Sequence, residues 1–162
     1  MPRLLALSCL SLALGLVPTA FAATAYVSNE KDNNLSVIDL DTLAVTGTID
    51  TGKRPRGLAL SHDNKLLYVC ASDSDTVQVI DLASRKIIKQ LPSGADPEQF
   101  ALHPNDRWLY VSNEDDALVT VVDTQTAQVL GQIDVGVEPE GMEVSPDGKW
   151  AVNTSETTNM LH

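Results

Sequence analysis

The chain has 162 residues, a length that suits one domain, and only 4% of them are aromatic. Eleven Lys and Arg stand against 22 Asp and Glu, for a net charge of −11 at neutral pH. A surface this acidic repels nucleic acid and anionic membranes, which removes both from the expected partners; ordinary solubility or a basic protein partner accounts for the charge.

The first element is not part of the fold. Arg3 precedes an apolar run over residues 4–17, followed by Pro18 and the small-residue pattern Ala20-Phe21-Ala22. A charged start, an apolar stretch and an A-x-A site describe a secretory signal peptide over 1–22, cleaved after Ala22. The run falls short of the ~20 residues that cross a bilayer, so no membrane insertion is expected. Cys9 lies within the run, too early for lipid attachment. The expected location is exported, periplasmic or secreted. Removing 1–22 takes away one of the eleven positive charges and no negative one, leaving 140 residues and a net charge of −12. Cys70 is then the sole cysteine, and no internal disulfide is possible.

From Tyr26 onward the sequence repeats every 42 residues without a gap. Tyr26-Val27, Tyr68-Val69 and Tyr110-Val111 keep this step, as do Gly52, Gly94 and Gly136, Pro55, Pro97 and Pro139, and Asp39, Asp81 and Asp123. The last copy stays in register from Trp108 to Trp150 and from Glu114 to Glu156. The first copy opens on what is the second strand of a unit. Inner strands are predicted at 57–61, 99–103 and 141–145. In the fullest copy strands at 108–113, 118–123 and 129–133 follow, rich in Val, Ile, Leu and Tyr and bounded by turn residues. Asn105-Asp106 and Pro146-Asp147-Gly148 make one kind of turn, and Asp123-Thr124 opens another. Residues 82–91 carry Ile87, Ile88 and Leu91 at helical spacing, but their repeat partners carry Val, Thr and Gly, so the segment reads as turn plus strand.

Four short strands in a 42-residue unit make a propeller blade. The expected fold is all-β: a β-propeller of four-stranded antiparallel blades, incomplete at about 3.3 repeats, with units near 23–57, 58–99, 100–141 and 142–162. Blades contact only their neighbours. Unpaired edges, and apolar faces carrying Leu35, Val37, Val152 and Met160 at the two ends, predict self-association of the isolated chain.

Tyr26-Val27-Ser28-Asn29, residues 35–39, Gly52-x-x-Pro55-x-Gly57 and residues 145–149 together resemble the YVTN-repeat β-propeller family over nearly the whole mature chain. Residues 55–57, 70–73, 139–141 and 153–160 are similar to a bacterial subgroup that accompanies pyrroloquinoline-quinone-dependent alcohol oxidation. The family is seven-bladed, which at this repeat length takes roughly 294 residues; the chain is read as about half a ring, truncated or assembled from half-rings. The resemblance implies a non-catalytic binding or scaffold protein with no cofactor of its own. Its implied partner is a protein, such as a periplasmic dehydrogenase or cytochrome. Related propellers include lactonases and haem-binding reductase domains, so the alternative is an enzyme or cofactor-binding protein whose site further blades complete.

In an antiparallel meander, loops after the second strand and the connections between blades lie on one face. That face collects Glu30, Asp32, Asp73, Asp75, Glu114, Asp115, Asp116 and Glu156, and nearer the axis Arg54, Arg56, Asp96, Glu98, Glu138 and Glu140. It reads either as a ligand or partner surface over a central channel, or as solvated loops tied by salt bridges between blades. No loop has the dense ligand spacing of a calcium site, and no metal is expected. No C-x-x-C-H, G-x-S-x-G, Gly-rich phosphate loop or H-E-x-x-H occurs, and no catalytic or cofactor-binding residue is assigned. His62 and His103 fall in turns on the opposite face and His162 in a strand; all three read as structural or solvated. Cys70 reads as a buried, inert thiol. Trp108 and Trp150 read as packing residues.

Overall fold

A computed structural model describes residues 23–162, so the expected signal peptide lies outside the described residues. Four antiparallel sheets follow one another along the chain. The first holds β1 (Thr24–Asn29), β2 (Asn34–Asp39) and β3 (Ala44–Asp50). The second holds β4 (Pro55–Leu60), β5 (Leu66–Ala71), β6 (Thr76–Asp81) and β7 (Lys86–Pro92). The third holds β8 (Pro97–Leu102), β9 (Trp108–Asn113), β10 (Leu118–Asp123) and β11 (Gln128–Asp134). The fourth holds β12 (Pro139–Val144), β13 (Ala151–Ser155) and β14 (Met160–Leu161). Each sheet is a blade with its strands in chain order, and β4, β8 and β12 lie side by side at the axis.

The all-β propeller expectation holds. Residues 82–91 form turn and strand β7, not helix. The one helical piece among the described residues is a 3-10 turn, Ser72–Ser74. No helix among them is long and apolar enough to cross a membrane.

The inner strands begin earlier than expected. They start at Pro55, Pro97 and Pro139, two residues before the predicted starts, so blade 2 takes residues 55–57 that the 23–57 unit claimed. The cause is a bulge. Pro55 pairs with Ala71 and Leu58 with Val69, so Arg56 and Gly57 together oppose Cys70. The same irregularity recurs in β8 and β12. Such an interruption of alternation breaks the period-2 pattern that marks a strand in sequence.

The middle strands are buried on both faces, which explains their nearly continuous apolar runs. In β5, Leu67 and Val69 face blade 1 and pack with Leu35, Val37 and Ile49. Tyr68 and Cys70 face blade 3 and pack with Phe100, Leu109 and Val111. Tyr68 meets Phe100 edge to face, with centroids 6.4 Å apart. Leu35 and Val37, placed by sequence on an apolar end face, are instead sealed in the seam between blades 1 and 2, while Val152 and Met160 are exposed. Trp150 is not a packing residue either: it is 72% exposed.

The hairpin between the third and fourth strands uses one device throughout. In blades 1 to 3 the carboxylates of Asp39, Asp81 and Asp123 accept bonds from backbone N–H groups two or three residues on. Leu43, Arg85 and Ala127 then turn the chain at positive φ, each at 56°.

Candidate functional site

The connections between blades end in a second set of left-handed residues: Arg54, Asp96 and Glu138, with φ of 54°, 49° and 56°. Each precedes a proline and is tied to the neighbouring loop. The backbone N–H groups of Ser72, Glu114 and Glu156 donate to the carbonyls of Arg54, Asp96 and Glu138 in turn. The Arg54 N–H donates to Asn33 Oδ1 and the Asp96 N–H to Asp75 Oδ1. The buried Gln78 accepts from the Gly52 N–H, at 2.8 Å. These bonds place the inter-blade connections and the loops after the second strands on one face, as expected.

Six expected residues converge there in one ion-pair network. Arg54 Nε donates to Glu30 Oε1 at 3.0 Å, and its Nη1 to both oxygens of Asp96 at 2.8 and 2.9 Å. Asp73 lies 3.8 Å from the same guanidinium. Glu98 is fully buried and receives both arginines: Arg54 at 3.0 Å on one oxygen, Arg56 at 2.5 Å on the other. Neither contact to Glu98 has hydrogen-bond geometry, so both oxygens are buried without a hydrogen-bond partner. The network joins blades 1, 2 and 3.

Burial pushes the Glu98 carboxyl up to about 8. Arg56 and Arg54 pull it down, while Asp96 and Glu140 add to the rise. Glu140 is raised as well, by burial and by Glu114 and Glu156, against the pull of Arg56. Glu30 is held below the usual carboxylate range by its bond from Arg54. Bonding to Asp96 keeps Arg54 firmly charged.

The remaining expected residues are arranged differently. Glu114 offers an oxygen within 4.8 Å of oxygens on Asp96 and Glu98, and these three are the carboxylates that could share a cation. Arg54 already grips Asp96 through both oxygens and two guanidinium groups reach Glu98, so that cluster is committed internally. Asp116 serves the scaffold by accepting from the Ala95 N–H. Glu138 accepts from the Thr157 hydroxyl. Among the described residues no Lys, Arg or His pairs with Asp32, Glu114, Asp115, Glu138, Glu140 or Glu156. Sequence reasoning missed Asn33 and Gln78, which brace the connections; their only signal was polarity at positions bordering the loops.

His62 and His103 sit apart from this face, whereas His162 reaches the connection between blades 3 and 4. His62 Nδ1 lies 2.6 Å from Asp106 Oδ1, and His103 stacks on Trp108 at 4.9 Å. His162 Nε2 accepts from the Gly136 N–H. Cys70 is fully buried and its thiol is raised well above its ordinary value by that burial.

A family model described as YNCE-like beta-propeller matches residues 3–116 and, again, 67–162. The chain belongs to the YNCE-like β-propeller family. Two overlapping matches on one chain reflect its internal repeat. Among solved structures this YNCE-like chain is similar to Kuenenia stuttgartiensis hydrazine synthase, at 26% identity and a TM-score of 0.78. The match covers 93% of this chain and 47% of that one. It is also similar in fold to the dihydro-heme d1 dehydrogenase NirN in complex with DHE, at 17% identity and a TM-score of 0.68. That match covers 82% of this chain and 30% of NirN. The chain thus spans about half and about a third of these two structures. No curated protein matches it.

Proposed function

We propose that the chain is part of an exported, periplasmic propeller that works by binding, and that its acidic loop face docks a basic protein partner. The observation that carries this reading is the division of labour among the charges. Arg54 and Arg56 are spent on carboxylates of their own and neighbouring blades, which leaves Lys31 and Lys53 beside them as the cations of this face outside any ion pair among the described residues. Glu114, Asp115, Glu138, Glu140 and Glu156 have no cationic partner among the described residues. A face of this sign steers and orients a basic surface. The resemblance to propellers that accompany quinone-dependent alcohol oxidation suggests a dehydrogenase or its cytochrome as that partner.

The test is calorimetric titration of the chain with the quinone-dependent dehydrogenase and the cytochrome of its own organism. Raising salt from about 20 to about 300 mM should weaken binding severalfold, because screening shortens the reach of exposed charges. The triple variant Glu114→Gln, Glu140→Gln, Glu156→Gln should do the same at low salt. Affinity indifferent to both changes refutes docking through this face.

A catalytic reading has one observation in its favour. The buried Glu98 carboxyl, raised to about 8 beside two arginines near the axis, is a candidate general acid. Turnover of a lactone panel that Glu98→Gln abolishes, with the fold intact, would favour it over binding alone.

A further inference from the structure

The seam between blades 2 and 3 encloses a cavity of about 310 Å³ at the end opposite the charged loops. Its walls are Leu66, Tyr68, Val79 and Ile88. The repeat itself supplies the control. One step of 42 residues on, in the seam between blades 3 and 4, His103 stands where Ser61 stands and Trp108 where Leu66 stands. There the His103 ring stacks on Trp108 and its Nε2 lies 3.2 Å from the Gly148 carbonyl oxygen of the next blade. A Cβ on Gly148 would strike that ring, whereas the equivalent residue beside Ser61 is Asp106, with a full side chain. One step back, in the seam between blades 1 and 2, Leu82 packs on the core where this cavity has Thr124. The equivalent place is thus filled by rings in the seam between blades 3 and 4 and narrowed by Leu82 between blades 1 and 2, whose own opening of about 350 Å³ lies instead beside Thr24, Tyr26 and Leu58.

The polar rim sets the preferred charge. Asp63 and Asp106 border the opening, together with one cation, Lys89. Lys89 Nζ is already engaged, donating to the carbonyls of Thr124 and Gln125 at 3.1 and 3.0 Å. Asp63 is held down to about 2 by bonds from Ser61 and Lys65, so it stays charged, and the exposed Lys65 flanks it from outside at 3.0 Å. Asp106 Oδ1 is met by the His62 ring at 2.6 Å, but His62 is not part of the lining, which is itself net negative within a net negative chain.

We infer that this seam is a binding site for a small planar aromatic ligand carrying a cationic group, the ring between Leu66, Tyr68 and Ile88 and the cation towards Asp63 and Asp106. A volume near 300 Å³ with apolar walls and a few polar groups suits a small ligand. The site lies apart from the docking face, so its fate is independent of that reading.

The test uses the full chain, with tryptamine and indole-3-acetate as probes of equal ring and opposite charge. Tryptamine should shift the amide resonances of residues 61–68 and 124–125 with saturation below about 10 mM, and indole-3-acetate should bind at least about tenfold more weakly. Filling the seam with the repeat's own solution, Ser61→His with Leu66→Trp and Asp106→Gly, should abolish tryptamine binding. If that variant does not fold, Ile88→Ser, at a residue 58% exposed, removes one wall and should weaken binding severalfold. No tryptamine shifts, shifts centred elsewhere, equal binding of the two probes, or tryptamine binding unchanged in a folded variant would each overturn the assignment.

Discussion

Glu98 ties its protonation to folding. Its carboxyl sits near 8 in the folded chain, above the ordinary Glu value of 4.5. A raised folded value means that the native state holds the proton more tightly than the unfolded one. That contribution is complete below about 4.5 and is lost as pH climbs through about 8. Thermal melts of the chain should therefore show stability declining from pH 5 to pH 9, and Glu98→Gln should flatten the decline; a parallel fall in both proteins would refute the link. A second residue-scale test concerns Leu43, 77% exposed at a φ of 56°. A side chain in this region is strained by ~1–2 kcal/mol, part of which glycine relieves. Leu43→Gly should stabilise by about 0.5–1 kcal/mol in urea unfolding, where the same change in a right-handed turn would destabilise. Neither property was legible in the sequence. Glu98 looked like one acid among many, because its burial depends on which blade lies over it. Leu43 belongs to a residue type that seldom adopts positive φ.

At the scale of the strand, the bulge in β4, β8 and β12 decides how closely the inner strands approach. A Cβ on Gly57 would lie 2.8 Å from the Glu98 carbonyl oxygen and 2.8 Å from Gln99 Oε1. The side chain can yield but the backbone of β8 cannot do so freely. Gly57→Ala should cost about 1–3 kcal/mol by overpacking, read as a lower urea midpoint with an unchanged slope. The strands themselves were largely readable: β9 and β10 fall where their Val, Leu and Tyr content and the bounding turn residues put them, at 108–113 and 118–123. The inner strands were misplaced by two residues, since a bulge removes the alternation that locates a strand end. The helical spacing of residues 82–91 gave way to the repeat, because one unit folds one way.

For the molecule as a whole, the seams between blades 1 and 2 and between blades 2 and 3 carry the cohesion, and each has an apolar middle and a charged end. Arg54 reaches carboxylates on blades 1, 2 and 3. Arg54→Gln removes both bonds to the part-buried Asp96 and should cost roughly 2–3 kcal/mol, while Asp73→Asn, at an exposed contact of 3.8 Å, should change stability by less than about 0.5 kcal/mol. Equal effects would place the network outside the stabilising interactions. Val152 and Leu161 are exposed on one face of the last blade, where Leu161 pairs with Thr154. We expect the chain to associate, with light scattering showing mass that rises with concentration; a constant monomer mass would refute this. The 42-residue period made this architecture plain from sequence and allowed salt bridges between blades, whereas which charges pair was not legible, because it depends on blade-to-blade rotation. The recurring bulge has one more consequence. It presents a single side chain per blade in an equivalent place beside the axis: Arg56, Glu98 and Glu140. Two of these are tied to each other, Arg56 to the buried Glu98, so only the third is free to vary. Glu140 is therefore the one codon through which the charge beside the axis can be rewritten on a backbone that stays constant.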